Sequence, residues 1–256
     1  MQNRSVVGWS RWTAPCLPHH LRRRHFSAAS GPGGLAFLLR LGLLAVVSTA
    51  CLPAQPGSEF LALLDRFART FTAAKAGIRT TNHVVGVKED DVETGTIFVK
   101  RSGGKSQFLI TFTAPNTYTA AVREQVAEVY YPKLNEIHEY DIRSYKDIAQ
   151  KLFLLGFGMP GRELAANYDV RNVRHETVDS QPATYLELVP KSADVLSKLK
   201  RVELWIADSN QCPVRQTFHF PDGGFRTAQF SALEVNPKLP ASAFDFPKGA
   251  KRVRMN

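Results

Sequence analysis

The sequence predicts a mainly β protein with some α: a single curved, incompletely closed antiparallel β-barrel of about 11 strands, with helices covering its concave side. Three observations predict it. From Ile78 onward, apolar and polar residues alternate with a period of two in one short stretch after another. Turn formers separate the stretches, as in Glu89-Asp90-Asp91, Ala114-Pro115-Asn116 and Pro132-Lys133-Leu134-Asn135. Strands do not alternate with helical patterns, which excludes a parallel nucleotide-binding sheet.

Residues 1–50 read as a targeting segment. Six arginines there, Arg4, Arg11, Arg22, Arg23, Arg24 and Arg40, account for six of the +10 net charge of the 256-residue chain, and no acidic residue offsets them. The small charge left on the remainder is weak support for nucleic-acid binding, and no nucleic-acid partner is expected. Arg22-Arg23-Arg24 precede the apolar run Leu35–Val47, and Ser48-Thr49-Ala50 follow it. That is the order of a secretory signal: basic region, apolar core, small-residue cleavage site. The run is short and contains Arg40, a poor membrane span, although an uncleaved anchor helix stays open. Either way the rest of the chain is expected to be exported. Cys51 directly follows Ala50, and three outcomes stay open: a lipoprotein anchored through Cys51, a soluble secreted protein cut near Ala50 or Ala54, or a disulfide between Cys51 and Cys212.

Residues 51–57 form a linker, and residues 58–256 a single domain. Ser58 can cap a helix over Glu59–Ala76, with Phe60, Leu64, Phe67 and Phe71 on one apolar face. Strands are expected at Ile78–Val87, Glu93–Arg101, Gln107–Thr113, Thr117–Arg123, Val126–Tyr131 and Glu136–Ile142. Ser144 and Asp147 resemble a capping box, and the helix they open puts Tyr145, Ile148, Leu152 and Leu155 on one face before Gly156 ends it. A short helical piece at Arg162–Asn167 leads to strands at Asp169–Glu176, Ala183–Val189, Arg201–Ala207, Pro213–Phe220 and Arg226–Val235. The tail reads as a turn, a short helical bit and an extended piece near Phe244 and Phe246.

Chemistry-bearing motifs fail one by one. Gly104-Lys105-Ser106 looks like the end of a phosphate-binding loop, but Val99 stands where that motif needs Gly, and a strand rather than a helix follows. His83, His138, His175 and His219 show no metal-ligand spacing, so no metal and no cofactor is expected. Cys212 sits in a turn with no base nearby in sequence, and Gly-x-Ser-x-Gly is absent. Tyr130, Tyr131 and Tyr140 could stack bases, but Glu128, Glu136 and Glu139 surround them. The chain is not expected to be an enzyme. What remains is an apolar excess on a curved sheet, which is either a packed core or a lipid pocket.

Several stretches together resemble the periplasmic outer-membrane lipoprotein carriers, the LolA-like and LolB-like lipoprotein localisation fold. They are Gly95–Arg101 followed by Thr113-Ala114-Pro115, then Val129-Tyr130-Tyr131-Pro132, then Val202–Ala207 with Trp205 and a following Pro213, and Phe244–Gly249 near the end. The sequence departs from the family at Ser102, where Pro is usual, and at Glu124-Gln125, where Asp-Gly is usual. The resemblance covers roughly 58–253. It implies a monomeric, non-enzymatic carrier that binds lipoprotein acyl chains or other lipids in a hydrophobic cavity in the periplasm. Inner-membrane export machinery and an outer-membrane receptor would be its partners. It gives Arg101 a lid-controlling role, and the cavity candidates are Phe98, Phe108, Ile110, Phe112, Tyr130, Leu152 and Trp205. The same fold also serves lipid-anchored receptors through a residue such as Cys51, and envelope sensors that bind a protein partner.

Overall fold

The computed structural model describes residues 57–102, 105–123, 126–142 and 155–255. The expected leader, Cys51, Gly103-Gly104, the helix opened by Ser144, and Leu152 lie outside the described residues.

Helix α1 spans Ser58–Thr70. Gly57, not Ser58, holds the N-cap position, at φ 96°, a left-handed conformation that glycine adopts without steric cost. The sequence predicts this helix out to Ala76, yet it stops at Thr70, and Phe71 is already extended. The cause is a distant side chain. Asn236 donates from Nδ2 to the Thr70 carbonyl at 2.9 Å and accepts the Thr72 backbone N–H at 2.7 Å. It thereby satisfies groups that a continuing helix would have paired internally.

The chain then lays down β1 (Ala73–His83), β2 (Asp91–Ser102), β3 (Lys105–Ala114), β4 (Tyr118–Arg123), β5 (Val126–Tyr131) and β6 (Glu136–Asp141) as an antiparallel meander. After α2 (Gly161–Asn167), a second meander follows: β7 (Tyr168–Val178), β8 (Gln181–Pro190), the short α3 (Ala193–Leu196), β9 (Arg201–Ala207), β10 (Pro213–His219) and β11 (Phe225–Val235). β11 pairs with β1 and fuses the meanders into one sheet. The tail makes a 3₁₀ turn at Ala241–Phe244, the short helical bit expected there but reaching into Phe244, and ends in β12 (Lys251–Met255).

Twelve strands result, in the order β12-β6-β5-β4-β3-β2-β1-β11-β10-β9-β8-β7. The expected architecture is observed: a mainly β, curved half-barrel whose end strands β12 and β7 do not pair, so the sheet stays open. One detail differs from the antiparallel expectation, because β12 runs parallel to β6.

Alternation assigns each side chain to a face. On the concave face, Ala74, Ala76 and Ile78 of β1, Ile97 and Val99 of β2, Phe108, Ile110 and Phe112 of β3, and Ala120 and Val122 of β4 join one core cluster. Leu186, Leu188, Val202, Leu204 and Ile206 form its neighbour on β8 and β9. Helix α1 lies across both: Phe60, Leu61 and Leu64 pack on the second cluster, Phe67 and Phe71 on the first. Residues 155–161 run close beneath α1. A Cβ on Gly158 would sit 2.3 Å from the Phe71 ring, and one on Gly161 would sit 2.0 Å from the Leu61 carbonyl oxygen. Both positions therefore require glycine for close approach.

Candidate functional site

The concave face holds a small, partly open pocket with a cavity volume of about 40 Å³. Ile78 of β1, Ile97 of β2, Ile110 of β3, and Ala228 and Phe230 of β11 make its apolar wall, with Phe218 of β10 beside them. These five strands are adjacent in the sheet, so period-two alternation delivers a continuous greasy surface. Phe157 covers it from the segment 155–160, edge-on to Phe230 with ring centroids 5.1 Å apart.

Two polar side chains strap that segment to the sheet. Arg101, at the end of β2, donates from Nη1 to the Gly158 carbonyl. Gln216, buried on β10, donates from Nε2 to the Leu155 carbonyl. Leu155 and Phe157 are themselves buried to within 1% of complete, so the strap is packed as well as bonded.

The pocket is not apolar throughout. Thr80, Gln216 and Arg226 also line it. Arg226 shares a face with Ala228 and Phe230, and Glu93 shares one with Ile97, as strand parity requires. Tyr118 donates its hydroxyl to Glu93 Oε1 at 2.8 Å. Burial pushes the Glu93 carboxyl above the usual carboxylate range, and the Tyr118 hydroxyl and Arg226 pull part of that back. Burial also pushes the Tyr118 phenol up, with the Glu93 charge adding to it, and lowers the Arg226 guanidinium.

The structure gathers some of the candidates and separates others. Arg101 reaches the segment that follows the expected lid helix. Phe108, Ile110 and Phe112 lie on the concave face, with Ile110 in the pocket wall. Phe98, Tyr130 and Trp205 point to the opposite face. Phe98 packs with Leu109, Ala121 and Phe244. The Tyr130 ring lies 6.1 Å from that of Phe246. Trp205 lies edge-on to Tyr185 at 5.0 Å and donates its indole N–H to Glu176 at 2.7 Å. Choosing residues by aromatic size overrode parity: Val99 faces inward, so Phe98 cannot, and Leu204 and Ile206 face inward, so Trp205 cannot. Sequence reading missed Gln216, Phe157, Glu93 and Arg226. For the last two a signal existed, a charge in phase with an apolar alternation.

No cluster of three metal-ligating side chains occurs among the described residues. Cys212 is a free, buried thiol, which burial pushes up to about 12, while Cys51 lies outside the described residues. Among the described residues no helix is long and apolar enough to cross a membrane.

No family model matches the chain. An outer-membrane lipoprotein carrier protein of Cupriavidus pinatubonensis (strain JMP 134 / LMG 1197) is 28% identical over 220 residues, which make up 82% of this chain and 96% of that protein. Among solved structures, MucB superposes with a TM-score of 0.50 at 13% identity, covering 78% of this chain and 66% of that one. An uncharacterised conserved protein from Thermus thermophilus gives a TM-score of 0.49 at 14% identity over 78% of this chain and 100% of that one. The MucB likeness speaks to fold alone. The chain is thus similar to an outer-membrane lipoprotein carrier protein along most of its length, and it resembles the family to which its motifs point.

Proposed function

We propose that the protein binds acyl chains of lipoproteins or other lipids in the cell envelope and hands them on without catalysing a reaction. The observation that carries this reading is the continuous apolar wall of a pocket on the concave face, covered by a strapped segment. Each methylene buried there contributes about 0.8 kcal/mol, so retention needs no reactive group. Similarity to a lipoprotein carrier protein supports the same reading. Phe108, Ile110 and Phe112 then form or back the acyl site, and Arg101 governs the cover. Residues 1–50 direct export to the periplasm, where Cys51 decides between a shuttle and an anchored receptor. Export machinery of the inner membrane and a receptor at the outer membrane are the partners of a monomeric carrier.

Extraction of the purified protein with organic solvent, followed by mass spectrometry, tests this. Acyl lipid should copurify, and a fluorescent apolar probe should bind the emptied protein and be displaced by added lipid. A folded sample that yields no lipid and binds no probe would overturn the reading in favour of a protein-binding use of the same fold.

A further inference from the structure

The two rims of the half-barrel differ in chemistry. Four of the five large apolar side chains exposed among the described residues, Val85, Val87, Leu134 and Leu196, lie in connections at one rim. Val85 and Val87 sit between β1 and β2, Leu134 between β5 and β6, and Leu196 in α3 between β8 and β9. Strand register puts these connections at the same end of the sheet. His83 at the end of β1 pairs with Phe225 at the start of β11, and His219 at the end of β10 pairs with Arg201 at the start of β9. Tyr130 near the end of β5 pairs with Thr119 near the start of β4. The fifth side chain, Met255, ends β12 at the opposite rim. Described turns at that opposite rim are polar: Asp179-Ser180 between β7 and β8, and Asp208-Ser209-Asn210-Gln211 between β9 and β10. Apolar side chains scattered singly over a surface need no explanation, but their segregation to one rim does.

Spacing and composition select the partner. In the sheet order, the valine loop stands three strand spacings from the Leu134 loop on one side and three from the Leu196 connection on the other, about 14 Å each way. Tips so far apart do not enter one groove, but all of them can enter one flat surface. Each tip has lysine beside it: Lys88 follows Val87, Lys133 precedes Leu134, and Lys198 and Lys200 follow Leu196. Lys88, Lys133 and Lys200 are exposed. Protein interfaces favour aromatic residues and arginine and are poor in lysine. Aliphatic tips with flanking lysines suit a bilayer instead, where the tips enter the acyl boundary and the amines reach headgroup phosphates. The rim is not simply basic. Glu89, Asp90, Asp194 and Asp222 share its loops, with Asp90 2.8 Å from His83 and Asp194 3.2 Å from Lys198. Apolar insertion, more than net charge, therefore has to supply the binding. The rim is also continuous with the pocket, since the pocket-lining Thr80 and Arg226 lie near the end of β1 and the start of β11. We propose that this rim docks on a phospholipid bilayer, with Val85, Val87, Leu134 and Leu196 inserted at its surface. This goes beyond lipid binding in the pocket and does not depend on it, because membrane contact reads the rim whether or not the pocket is filled.

A polarity-sensitive fluorophore on the purified full-length protein, mixed with phosphatidylcholine vesicles, tests this. It is attached at Leu134→Cys and, in a second sample, at Ser209→Cys on the opposite rim. Both carry Cys16→Ser and Cys51→Ser, and Cys212 is buried. On adding vesicles, the probe at position 134 should shift to the blue and be quenched by a quencher held in the acyl region. The probe at position 209 should do neither. Adding Val85→Asp, Val87→Asp and Leu196→Asp to the Leu134→Cys protein should raise the lipid concentration at half-maximal shift about tenfold or more, the effect of leaving even one aliphatic side chain unburied. The melting temperature should stay the same, because all three side chains are exposed. Flotation with the vesicles while the probe at position 134 stays in water would overturn the proposal, since another part of the chain would then hold the membrane. Absence of any vesicle contact would overturn it too. So would a parent dimer that the aspartates turn into a monomer, which would assign the rim to a second copy of this chain.

Discussion

Glu93 sits half-buried on a face that is otherwise mostly apolar, and this gives the protein a specific pH response. Its carboxyl is raised above the ordinary value of 4.5 mainly by burial. The folded state therefore holds a proton that the unfolded state has lost, over the window from 4.5 up to the raised value. Linkage then requires stability to fall as pH rises through that window, with the full contribution present only below it. Glu93→Gln mimics the protonated form. It should melt at a higher temperature than the parent at neutral pH, and the gap should close as pH falls below 4.5. A variant that melts below the parent at neutral pH, with the deficit shrinking on acidification, would mean that the Arg226 charge, not burial, dominates at this site. Residue-scale features of this kind were half legible. Glu93 and Arg226 keep phase with Ile97 and Ala228, so parity alone marks them as inward charges. That the buried Asn82 amide nitrogen goes unpartnered among the described residues was not legible, since a sequence does not show which donors go without partners. Nor was Asn236 as the stop of α1, because its bond to Thr72 spans 164 residues.

At the scale of elements, most strands were readable because period two is strong where one face is buried. The boundary between α1 and β1 was not. Ala73, Ala74 and Ala76 favour helix by intrinsic propensity. They are strand here because β1 is central and exchanges ladder bonds with both β2 and β11, and small side chains suit the floor beneath α1. Tertiary pairing overrides propensity at such a position. The strap over residues 155–160 is the element whose behaviour bears on function. Arg101 on β2 and Gln216 on β10 hold two carbonyls of one cover, those of Gly158 and Leu155. Replacing Arg101 by Leu removes one hydrogen bond with a charged donor, worth about 1.5–3 kcal/mol. Circular dichroism should therefore report an intact fold, while transfer of bound lipid to acceptor vesicles or a receptor changes in rate. Transfer at the parent rate would leave Arg101 as an ordinary packing residue.

For the whole molecule, strand count and turn spacing pointed to an incompletely closed barrel, but they did not show how its parts join. The β1–β11 pairing that fuses the two meanders, and the parallel return of β12 to β6, connect residues far apart in sequence. An open sheet has two exposed edges, and each is a liability for unwanted pairing. β12 covers one of them with charge. Arg252 donates to Glu128 Oε1 at 2.7 Å and also to Glu139. Glu128 is 6% exposed, on the convex face of β5 behind the core. Arg254 points into solvent at 91% exposure, with its nearest carboxylate oxygen, on Glu139, 3.9 Å away. The two arginines are close neighbours on one short strand, yet their energetic weights differ. Hydrogen bonds to a charged group with one buried partner contribute about 1.5–3 kcal/mol. An exposed ion pair at that separation contributes about 0–1 kcal/mol. Arg252→Ala should therefore lower the unfolding free energy measurably in urea titration, and Arg254→Ala should leave it nearly unchanged. Added salt should narrow the small Arg254 effect and leave most of the Arg252 effect, since burial limits screening. Equal losses from the two substitutions would show that β12 is held by its backbone ladder alone, and that the charges on this edge guard against pairing without anchoring the strand.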